Sequence, residues 1–129
     1  MYDFAIPPII HGLKSLAAVL KKSEAHCEAR KIKPEVLVGF RLFPDMLPLS
    51  SQVQLASDFA KGVGARLSGT ANPSYADEEK SFADLQARIA KTIAFLESLD
   101  QEAFDGAATR MVKVRLSRDV EKDMAGAEY

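Results

Sequence analysis

Ser81-Phe82-Ala83-Asp84-Leu85-Gln86-Ala87-Arg88-Ile89-Ala90-Lys91-Thr92-Ile93-Ala94-Phe95-Leu96-Glu97-Ser98-Leu99 is the stretch whose pattern decides the fold. Phe82, Leu85, Ile89, Ile93, Leu96 and Leu99 recur every three or four positions, which places one apolar stripe along a helix. Ser81 followed three residues later by Asp84 resembles a capping box, with aspartate where glutamate is usual. Upstream, Leu49, Val53, Ala56, Phe59, Val63 and Leu67 repeat the spacing. So do Ile6, Ile9, Leu13, Leu16, Leu20 and Cys27. The three ladders predict helices over 7–31, 48–68 and 82–99. Their oily faces must meet one another, so the chain reads as one all-α, up-and-down helical bundle domain over 1–129.

Between the ladders the breakers set the boundaries. Pro7 and Pro8 suit a helix's first turn, where a missing N–H costs little, and the first helix is expected to start there. Glu35 to Phe40 is short and apolar, either one or two helical turns or a buried connector. Pro44 and Pro48 bracket Asp45-Met46-Leu47, an expected non-helical turn. Gly69 fits a left-handed helix stop, whereas Gly62 and Gly64, inside the second ladder, suggest close approach of another backbone. Past Gly106, residues 111–116 alternate with the period of a half-buried strand. A lone strand must pair with another segment, such as its copy in a second chain, or be an extended stretch lying on the bundle. The rest, with Val120 and Met124 as its clear apolar anchors, is expected to be an irregular or weakly ordered tail over 111–129.

Bulk properties narrow the class. The chain has 129 residues, 47% hydrophobic and 27% charged, enough for one core without disulfide or metal. Its 17 basic and 18 acidic residues nearly cancel, so nothing electrostatic favours nucleic acid or an anionic membrane. A single cysteine argues for a reducing compartment, and the start lacks the features of a signal peptide. No run approaches the roughly 18 apolar residues that would span a bilayer. The expected location is cytoplasmic.

Chemistry-bearing residues are sparse. His11 and His26 on one helix would lie about 22 Å apart, too far to share a metal. Cys27 continues the first ladder and reads as a core thiol; His26 beside it splays away around the helix. Ser50-Ser51 suit helix initiation better than nucleophilic catalysis. Lys21, Lys22, Arg30, Lys31 and Lys33 are interrupted by Glu24 and Glu28 at ion-pairing spacing, the mark of a solvated face. A phosphate loop, a Cys-x-x-Cys pair and a His-Glu-x-x-His motif are all missing. What remains is a candidate ligand pocket at one bundle end, built from Arg41, Asp45 and Gln52, with Asp58 further along the same helix. Bland roles compete with it: Asp45 as a helix cap, Gln52 as a polar residue on the surface, Asp58 on a solvated face.

His11-Gly12-Leu13-Lys14-Ser15-Leu16 and His26-Cys27-Glu28-Ala29-Arg30-Lys31-Ile32 resemble the first helix of a bacterial domain-of-unknown-function family. Arg41-Leu42-Phe43-Pro44-Asp45-Met46-Leu47-Pro48-Leu49 with Gln52-Val53 is similar to that family's turn and second long helix, and Phe82-Ala83-Asp84-Leu85 with Arg88-Ile89-Ala90-Lys91-Thr92-Ile93 to its third. The likeness covers most of 1–105. It implies the DinB/YfiT-like four-helix-bundle superfamily, up-down-down-up bundles that include metal-dependent hydrolases and thiol transferases. Superfamily metal sites use three histidines, two on later helices. No histidine follows His26 here, so no metal ligand set carries over and no cofactor is expected. The resemblance also implies a further C-terminal helix, which this sequence lacks, leaving an apolar groove open.

The expected function is therefore that of a bundle without a catalytic motif, acting through self-association as a homodimer or through binding a small molecule. A DinB-like metal-dependent hydrolase or transferase with a degenerate or incomplete site is the alternative. A thiol enzyme using Cys27 is the third idea.

Overall fold

The computed structural model describes residues 1–117 and 119–129. Its long helices are α1 (Tyr2–Arg30), α3 (Leu49–Ser68) and α4 (Phe82–Glu97), with a short α2 (Pro34–Val38) between the first two. A 3-10 turn, Gln101–Phe104, and a two-stranded hairpin, β1 (Met111–Arg115) and β2 (Glu121–Ala125), follow. The buried positions keep helical spacing, every seventh residue on α1 and every third or fourth on α3 and α4. Ile6, Leu13, Leu20 and Cys27 of α1 meet Val53, Ser57, Ala60, Gly64 and Leu67 of α3, and Phe82, Leu85, Ile89, Thr92 and Leu96 of α4. This spacing suits helices packed at a shallow angle. The buried hydroxyls of Ser57 and Thr92 donate to the carbonyls one turn back, Val53 and Arg88, at 2.9 and 2.8 Å, so neither leaves a polar atom stranded.

Helix directions follow from the contacts. Lys14 meets Glu97 and the Gln86 amide donates to the Ala17 carbonyl, so α4 runs antiparallel to α1. Gly64 faces Leu96 and Leu99 while Asp58 faces Arg88, so α3 and α4 run parallel. Parallel neighbours need a crossover. Residues 69–81 return along the bundle in an irregular extended path. That length of chain reaches about 43 Å when stretched, against roughly 30 Å for α3.

Five expectations are corrected. Helix α1 starts at Tyr2, and Pro7 and Pro8 lie inside it. Burial of Ile6 and an edge-on Tyr2–Phe104 ring contact, 5.2 Å between centroids, hold the turn before the prolines in place. On α3 the core stripe is not Ala56, Phe59 and Val63: Phe59 is 69% exposed, and the stripe rotates to Ser57, Ala60 and Gly64. Gly64 makes room for the Leu96 and Leu99 side chains, and Gly62 for Arg66, so neither admits a backbone. The 111–129 tail is a hairpin: β1 pairs antiparallel with β2 in the same chain, Met111 opposite Ala125 and Val112 opposite Met124. By length and composition alone α1 would pass for a membrane span, contrary to the reading of its apolar runs. Four of its residues, Ile6, Leu13, Leu20 and Cys27, are nevertheless buried in the core.

Other features fall where the spacing put them. Gly69 ends α3 with φ +75°. The capping box forms, the Ser81 hydroxyl accepting from the Asp84 N–H at 3.1 Å and the Asp84 carboxylate from the Ser81 N–H at 3.0 Å.

Candidate functional site

The four residues singled out from sequence separate into two places. Arg41, Asp45 and Gln52 stay together at the α2–α3 corner, where two of them hold the proline-bracketed turn. The Arg41 guanidinium donates to the Met46 carbonyl at 2.7 Å and the Gln52 amide to the Leu47 carbonyl at 3.3 Å. Asp45 is exposed and caps nothing: the N-cap of α3 is Pro48, and no side chain caps the helix. Beside the turn lies a cavity of about 430 Å³, walled by Leu37, Phe40, Met46, Leu47 and Leu49 with Gln52 at its edge.

Asp58 belongs elsewhere, to a cluster that sequence reasoning missed. Its centre is Arg88, whose side chain is 2% exposed. Arg88 Nη1 reaches Asp77 at 3.0 Å, Glu79 at 3.1 Å and the Ala76 carbonyl at 3.1 Å. Nη2 reaches Asp58 at 2.9 Å. Lys61 adds a second contact to Asp58 at 3.1 Å, and the Gln54 amide donates to Glu79 at 2.9 Å. Tyr75 lies among three cations, with Lys91 4.3 Å, Lys61 5.2 Å and Arg88 5.3 Å from its ring centre. The sequence held one signal: an arginine flanking an apolar stripe, shortly after the acidic run Asp77-Glu78-Glu79. Only the parallel crossover brings that run back to the arginine.

The cluster ties the crossover to α3 and α4. Burial by itself would disfavour the Arg88 cation, but Glu79 first, then Asp58 and Asp77, raise its pKa overall. Burial likewise pushes Glu79 up, and the Gln54 amide, its own backbone and Arg88 together hold it below the usual carboxylate range. The Ser81 hydroxyl, then the Lys80 N–H, hold Asp84 low as well. Groups depressed in the folded state bind fewer protons there than when unfolded, so they stabilise the fold above their ordinary values near 4. Melting temperature should therefore be level above about pH 5.5 and fall as acid protonates Glu79 and Asp84 below about pH 4. Thermal melts followed by circular dichroism across pH 3–7 measure this; a flat profile would contradict it. Among the protein's own groups, only Arg88 Nε is buried without a hydrogen-bond partner among the described residues. Within the cluster, Arg88 and the carboxylates of Asp58, Asp77 and Glu79 satisfy one another's charge.

The other residues weighed for chemistry are dispersed. Cys27 is 0% exposed, while His11 and His26 face solvent. Among the described residues, no three His, Cys, Asp or Glu side chains gather as metal ligands.

The third feature is apolar. Ile9, Gly12 and Leu16 of α1 and Ala56, Phe59 and Val63 of α3 line a groove of about 300 Å³ between the two helices. Each helix therefore carries two stripes: one enters the core with α4, and the other flanks this groove.

All of the chain, residues 1–129, matches the family described as Domain of unknown function (DUF1993). The chain belongs to the DUF1993 family. Among solved structures, this DUF1993 chain is similar to the crystal structure of a DinB family member protein from Shewanella denitrificans, at 35% identity and a TM-score of 0.89. The likeness covers 98% of this chain and 71% of that one. The DUF1993 bundle is thus DinB-like, in agreement with the resemblance of its α1, turn and α4 residues. No curated protein matches the chain.

Proposed function

We propose that this DUF1993 chain acts by association, pairing with a second copy through its α1–α3 face, in the cytoplasm, where a lone thiol stays reduced. Exposed area carries the reading. A folded monomer of 14.1 kDa presents about 6,700 Å² to solvent. This chain presents 8381 Å², roughly 1,700 Å² more. A standard interface covers about 800 Å² on each partner, which is of the order of this excess. The groove between α1 and α3 supplies the apolar part of that area, and its walls carry no charged side chain.

Sedimentation equilibrium tests the reading. At micromolar concentration the expected mass is twice 14.1 kDa. Phe59→Glu should weaken association at least tenfold without loss of helix, because Phe59 lies outside the core. A wild-type monomer throughout the range would end the proposal. Stoichiometric zinc or nickel retained through a chelator wash would instead favour a DinB-like hydrolase or transferase. A small-molecule reading is supported by the cavity beside the 40–47 turn, whose volume of about 430 Å³ suits a compact apolar ligand. Saturable binding of such a ligand, lost in Met46→Asp, would establish it.

A further inference from the structure

We draw no further inference here: the strongest candidate, the cavity of about 450 Å³ between the crossover and α4, where Lys91 lies over the Tyr75 ring beside Glu78, Glu79 and Asp84, is a cluster of charged side chains bordering the Arg88 clasp already described, and nothing in the structure points to a ligand that it would hold.

Discussion

Replacing Arg88 with methionine should lower stability by about 3 kcal/mol and the melting temperature by roughly 10 °C. The substitution keeps volume and helix propensity but removes the cation that Asp58, Asp77 and Glu79 share. Glu79, at 14% side-chain exposure, is the carboxylate left most stranded. Asp58 and Asp77, at 38% and 60%, recover much of their hydration, which keeps the cost at the lower end for a broken buried pair. Arg88→Lys should cost about half as much, because one ammonium can meet one or two carboxylates but cannot fork toward α3 and the crossover together. The loss should be directional, with protease cleavage within 69–81 accelerating before the helices melt. Circular dichroism melts and limited proteolysis measure both effects, and an R88M protein melting within about 2 °C of wild type would refute the clasp.

Gly126→Ala should detach the hairpin, at a cost of about 2 kcal/mol. A Cβ at this position would overlap the Ala107 backbone carbonyl and press on the Leu67 side chain. Backbone is the obstacle, so no rotamer change relieves it. The neighbouring bonds must then open, Gly126 N–H to the Arg110 carbonyl at 2.9 Å and Ala127 N–H to the Ala108 carbonyl at 3.0 Å. Amide exchange should quicken across 111–125 while the helical signal and the exchange of Leu85 and Ile89 stay unchanged. Unaltered exchange in the hairpin would show that it tolerates the methyl group.

The helical parts of this fold were legible because their signals are local. The Ser81–Asp84 box, the Gly69 stop and the α4 ladder each depend on residues within a turn or two, and each forms as read. Failures occurred where a distant segment decides. The start of α1 moved ahead of Pro7 because Tyr2 packs on Phe104, a residue beyond α4. Residues 111–116 could be recognised as strand-like, but their partner, 121–125, reads Glu-Lys-Asp-Met-Ala and carries no alternation of its own. For the candidate site, Arg41 and Gln52 share a corner because they are near in sequence. Asp58 was grouped with them on the same ground, yet its contacts are Arg88 and Lys61.

Composition and spacing by themselves determined that three amphipathic rods form one helical bundle, because a three–four repeat specifies a helix and its stripe wherever it occurs. Which stripe of α3 turns inward was decided only by tertiary structure. Both stripes are apolar at helical spacing, and Ser57, Ala60 and Gly64 won over Ala56, Phe59 and Val63 because the small set lets α4 approach closely. The same parallel packing of α3 and α4 forces the crossover back along the bundle, and so gives Arg88 its carboxylates and leaves Phe59 at the open groove.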